Sequence, residues 1–144
     1  MEPDSADLKK LFFEKKYSEI IKIIETKISE KDKSSGLLNL LGVCKFLNNS
    51  NEETLNSSKN DFRKAYLKEK NTSNAFHALK NFINISMDLF DLEFRSGKTS
   101  SEKVFEEIFL YFNENKNYFE KNEGHAQSII RVFKRNLDLE NVIY

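Results

Sequence analysis

The sequence predicts an all-α fold, and three observations carry that expectation. Apolar residues recur at three- and four-residue steps through stretch after stretch, as on one face of a helix. No segment sustains the strict alternation of apolar and polar residues that marks a half-buried strand. Four glycines and one proline, Pro3, are too few for the tight turns of an all-β protein and suit long helices.

Each element follows from the local residues. Pro3, Asp4 and Ser5 form a helix-start signal, and Asp7 places a negative charge in the first turn, where the helix dipole favours it. Leu8, Leu11 and Phe12 give this helix its apolar face, and Lys15-Lys16 closes it. A second helix begins at Tyr17-Ser18-Glu19 and carries Ile20, Ile21, Ile23, Ile24 and Ile28. Glu30-Lys31-Asp32-Lys33 reads as a solvated connector. The third helix starts at a Ser34 cap and runs through Leu37, Leu38, Leu41, Cys44 and Leu47 to the polar stop at Asn48-Asn49. Its interior Gly42 forgoes about 1 kcal/mol of helix propensity relative to Ala. That cost points to a second helix passing too close for a side chain.

Ser50-Asn51-Glu52-Glu53 has the capping-box pattern for a fourth helix, whose inward face is Leu55, Ser58, Phe62, Ala65 and Tyr66. Thr72 or Ser73 caps a fifth, predicted from Ala75 to about Phe94 on the spacing of Phe76, Leu79, Phe82, Ile83, Met87 and Phe90. Ser96-Gly97 ends it. Thr99 to Glu102 forms a second capping box, ahead of Val104, Phe105, Ile108, Phe109, Tyr111 and Phe112. Asn113 to Asn117 reads as a polar connector, with Tyr118-Phe119 packing back on the core. Ala126, Ile129, Ile130 and Phe133 mark a seventh helix. Asp138 opens an eighth with Leu139, Val142 and Ile143, and this last pair is expected to be incomplete.

The 23 basic and 23 acidic residues cancel, which argues against broad attraction to nucleic acid or an anionic membrane. Lys9, Lys10, Lys15 and Lys16 form a local basic cluster with acidic neighbours. No apolar run is long enough to span a bilayer. A single cysteine, Cys44, leaves no intrachain disulfide and fits a reducing, cytoplasmic address.

Chemistry is sparse. His77 and His125 lack metal-ligand spacing. Cys44 lies on an apolar stripe, where a free thiol behaves as a small hydrophobe. Asp88, Asp91 and Glu93 share a helix and read as a solvated rim rather than the spaced acid pair of a glycosidase. Ser96-Gly97-Lys98-Thr99 supplies only the tail of a phosphate-binding loop. The expectation is a protein that is not an enzyme, with no catalytic residue, no metal and no cofactor.

A family resemblance enters with the third helix. Leu38-x-x-Leu41-Gly42 resembles the first half of the tetratricopeptide repeat, and Phe62 and Ala65 resemble the aromatic and small positions of its second half. Tyr17-Ser18-Glu19-Ile20-Ile21 resembles the turn of a preceding repeat, and Phe76, Leu79 and Ile83 the bulky positions of a following one. Lys45 stands where that pattern has Tyr, Lys80 where it has a small residue, and no Pro ends a second helix. The motifs cover residues 6–94, and residues 95–144 share only the periodicity. A helical bundle without repeat symmetry is the plain alternative.

The resemblance implies antiparallel helix pairs stacked as a right-handed solenoid, in a single domain over residues 1–144 that is truncated at its C-terminal end. In such stacks the first helices line a concave groove, which places Asn39, Val43, Phe46, His77, Asn81 and Asn84 on a ligand surface. Leu38, Leu41, Gly42, Phe62 and Ala65 become packing positions. Asparagines can grip an extended peptide backbone through their donors and acceptors, and they can equally be ordinary solvated side chains. The implied function is a non-enzymatic scaffold that binds a protein or peptide, with no nucleic acid and no membrane. The run Leu37 to Val43, with Asp61 to Ala65 and Lys80-Asn81-Phe82, also resembles N-terminal repeat regions of bacterial glycosyltransferases and related transferases. That implies an accessory region with a catalytic domain beyond Tyr144. A self-associating structural module is a third reading.

Overall fold

The computed structural model describes residues 5–95 and 103–122, together with 127, 130–132 and 134. The described residues contain helices and no strand, as the periodicity predicts. In order they are α1 (Ser5–Phe13), α2 (Tyr17–Lys27), a 3₁₀ turn (Glu30–Asp32), α3 (Ser35–Asn48), α4 (Glu52–Lys68), α5 (Ser73–Arg95), α6 (Lys103–Glu114) and α7 (Lys116–Lys121). No helix among them is long and apolar enough to cross a membrane. The Ser96-Gly97 break, the capping box at 99–102 and the segment 138–144 lie outside the described residues.

Short polar joints set the helix ends. Lys15 turns the chain from α1 to α2 with φ 59°, and Asn71 turns it from α4 to α5 with φ 69°. Asn tolerates this left-handed conformation through its short polar side chain, whereas Lys adopts it at a steric cost. Ser34 caps α3, its Oγ accepting from the Leu37 amide at 3.2 Å. The α4 cap falls one residue later than the capping-box reading placed it. Asn51 Oδ1 accepts from the Thr54 amide at 2.8 Å, while Ser50 turns back to donate to the Phe46 carbonyl at 3.0 Å. Asn is at least as good a cap as Ser, and Ser50 is drawn to the open carbonyl end of α3. Thr72 caps α5, accepting from Ala75 N at 3.2 Å.

The chain divides into two compact units, Met1–Phe82 and Ile83–Tyr144. In the first, Leu8, Ile20, Ile24, Ile28, Leu41 and Cys44 form one buried cluster joining α1, α2 and α3, with Leu11, Phe12, Tyr17 and Ile21 packed on it. Leu38, Ala65 and Ala78 join α3, α4 and α5 in another. In the second unit Phe90 meets Phe105 edge to face at 5.1 Å, and Phe112 packs on Phe119 at 5.4 Å. Arg131 bridges to Asp88 at 2.7 Å.

Three expectations about exposure need correction. Lys33, read as part of a solvated connector, is only 3% exposed, with its ammonium on Glu30 at 2.6 Å. That ion pair also holds the Glu30 carboxyl below its usual pKa. The supposed connector 113–117 is helical on both sides of Asn115, which is buried and donates to the Tyr111 carbonyl at 2.8 Å. Ile130, assigned to an apolar stripe, is 61% exposed, and Val132 supplies the buried position instead.

Candidate apolar groove and the helix-packing site

Helix α3 supplies both sites, one on each side. Its inner side meets α4. Leu38 and Gly42 are buried there with Phe62 and Ala65, Ser35 Oγ donates to the Ala65 carbonyl at 2.6 Å, and Leu41 is buried instead in the cluster with α1 and α2. A Cβ built on Gly42 would lie 2.6 Å from Phe62 Cε1 and 2.9 Å from Cδ1 and Cζ. The space beside Gly42 is filled by an aromatic ring.

Lys45, a departure from the repeat pattern, joins three helices. Its Nζ lies 2.8 Å from Asp61 Oδ2 on α4 and 3.2 Å from Glu25 Oε1 on α2, and it donates to Ser57 Oγ at 2.9 Å. Burial alone would lower the lysine's pKa, but the two carboxylates outweigh it and raise it. The Asp61 carboxyl is pushed up by its burial, which the lysine offsets only in part. The two shifts agree physically, because one ammonium serves two acids and the more deeply buried acid is undercompensated. Periodicity gave no warning of this cluster. The available signal was a lysine three and four residues after Gly42 and Leu41 on a stripe otherwise apolar.

The outer side of α3 is open. From Gly36, steps of four, three and four residues reach Leu40, Val43 and Leu47, with Leu40 and Val43 half-buried and Leu47 46% exposed. Between this side and α1 runs a groove of about 570 Å³ lined by Leu8, Lys9, Phe12, Phe13, Ser34, Gly36, Leu37 and Leu40. Phe13, at the end of α1, is 83% exposed at its edge. Toward α5, Asn81 Nδ2 donates to Asn39 Oδ1 at 2.9 Å, so these two predicted groove residues meet each other. Phe46 is half-buried and His77 exposed. Asn84 belongs to the second unit, where its carbonyl and side-chain oxygens lie 3.5 Å from Arg131. The apolar lining between α1 and α3 is not legible in the sequence, because spacing places Leu37 toward the core, where it packs, without reporting how much of it stays open, and gives Phe13 no face.

Among the described residues no cluster of His, Cys, Asp and Glu could hold a metal ion. Cys44 is fully buried, and that burial pushes its thiol up to about 11. A protonated, inaccessible thiol is a poor nucleophile. Iodoacetamide at about pH 8 should therefore leave Cys44 unmodified in the folded protein and alkylate it readily in concentrated guanidinium. Rapid labelling without denaturant would mean that the α1–α2–α3 cluster opens readily.

No family model, curated protein or solved structure matches the chain.

Proposed function

We propose that this chain is a non-enzymatic helical-repeat scaffold of the tetratricopeptide-like kind, a right-handed solenoid whose α1, α3 and α5 form a face that binds a protein or peptide. The observation that carries this reading is the open apolar groove between α1 and α3, rimmed by the exposed ring of Phe13. Apolar side chains left open to water at a groove are a cost to the free protein that a ligand's side chains remove. The Asn39–Asn81 pair borders the same helix and offers amide groups to a peptide backbone. A buried, protonated Cys44 is compatible with a cytoplasmic address.

The test is selection of a random peptide library on the 144-residue chain, followed by amide shift mapping of a selected peptide. Shifts should concentrate at Leu8, Phe12, Phe13, Leu37 and Leu40. Phe13→Ser, a change at an exposed position expected to alter stability by no more than about 0.5 kcal/mol, should weaken binding. Peptides that shift only α6 and α7, or bind Phe13→Ser unchanged, would place recognition elsewhere.

A further inference from the structure

The whole chain is neutral, yet the two helices that wall the groove, α1 and α3, carry a single acid, Asp7. Helix α3 contains no Asp or Glu, and neither does α5 from Ser73 to Phe82, which carries His77 and Lys80. The neighbouring helices carry both signs, Glu19 and Glu25 with Lys22 and Lys27 on α2, and Glu52, Glu53 and Asp61 with Lys59, Arg63, Lys64 and Lys68 on α4. On α1, Asp7 is followed by Lys9 and Lys10, and in the joint to α2 Glu14 is taken up by Lys16 at 3.1 Å. Lys9 is the one charged residue that lines the groove among the described residues, it is exposed, and it makes no ion pair among them.

We infer that the occupant of the α1/α3 groove is an acidic-apolar peptide segment, its aliphatic or aromatic side chains against Phe12, Phe13, Leu37 and Leu40 and a carboxylate against Lys9. This rests on the peptide-binding reading above and names the chemistry of the partner. The apolar walls supply contact area, and the unpaired ammonium at the lip selects sign. A basic segment would meet Lys9 with no acid on α3 to receive it, so the face discriminates by repulsion as well as attraction. Polyanions fit less well. Nucleic acid binds through many phosphate contacts, and this groove offers one ammonium between apolar side chains.

The decisive comparison uses the library-selected peptides, synthesised and titrated by fluorescence anisotropy against the full chain. Selected sequences should combine Asp or Glu with Leu, Ile or Phe. Lys9→Glu should weaken them about tenfold, one attractive charge contact being replaced by a repulsive one. Lys9→Arg should restore affinity, and added salt should lower it. Neutral or basic peptides lost in Phe13→Ser but unmoved by Lys9→Glu would overturn this inference while leaving the peptide groove standing. Peptides indifferent to both variants would overturn both. Binding of polyadenylate or phosphatidylserine vesicles that disappears in Lys9→Glu, with no acidic peptide selected, would replace the peptide by a polyanion.

Discussion

Phe62→Ala should lower the free energy of unfolding by about 3–5 kcal/mol, the cost of emptying an aromatic-sized space in a packed core. The ring is only 3% exposed, and the Gly42 backbone lies against one edge of it. This gives a second, coupled expectation with a definite sign. In the wild-type background Gly42→Ala gains at most about 1 kcal/mol of helix propensity but drives a methyl group into the ring, at an overpacking cost of about 1–3 kcal/mol. It should be neutral or destabilising. In the Phe62→Ala background the clash is gone, the propensity gain remains, and the new methyl fills part of the cavity. There the same change should stabilise. Urea unfolding of the two single variants, the double variant and the wild type yields the coupling energy, expected within about 0.5–3 kcal/mol. Equal effects of Gly42→Ala in both backgrounds would show that ring and glycine do not compete for space.

Lys45→Met should cost about 2–4 kcal/mol at about pH 7, because it leaves the Asp61 carboxylate buried without its cation. The loss should shrink under acid. The Asp61 carboxyl sits above its ordinary value of 3.8 in the folded state, so folding favours its protonated form. Its burial penalty is fully felt above the folded pKa and relieved as pH falls through that value. Without Lys45 the shift grows, and the window of relief extends upward in pH. On the alkaline side the wild type loses its own advantage, since a lysine raised above 10.5 contributes stability that fades as pH climbs through its folded value. Urea unfolding at about pH 4 and about pH 7 should therefore give a smaller Lys45→Met deficit at the lower pH. The same deficit at both would mean that water reaches Asp61 once the lysine is gone. Adding Asp61→Leu to Lys45→Met should recover part of the loss, as replacement of a whole buried pair often does.

Helix positions and the packing face of α3 were legible because they rest on local chemistry. Spacing alone announces that Leu38, Leu41 and Gly42 are buried, although Leu41 turns to α1 and α2 and Leu38 to α4 and α5, and Ser34 announces its own cap. The shift of the α4 cap from Ser50 to Asn51 was not legible. Both residues can cap, and the choice depends on the Phe46 carbonyl at the end of the preceding helix. Lys33 misled, and the ion pairs of Lys45 gave no signal, for a related reason. A lysine reads as solvated until a carboxylate from another turn or helix is placed beside it, and sequence spacing does not report that distance. The groove was half legible: periodicity gave α1 and α3 their apolar residues but not how many would stay open to solvent. Asn39 and Asn81 lie 42 positions apart, and only tertiary packing makes them hydrogen-bond partners.

The ammonium of Lys68, at the end of α4, reaches across to the joint between α2 and α3. It donates to the backbone carbonyls of Glu30 at 3.3 Å and Lys31 at 3.0 Å, and to that of Lys33. A clasp made only to main-chain oxygens is blind to side-chain identity. It constrains the path and length of the joint while leaving the side chain of Lys31 unconstrained by the clasp. Mutational drift can thus rewrite the side chain at Lys31, whereas an inserted residue would move the carbonyls out of the reach of Lys68.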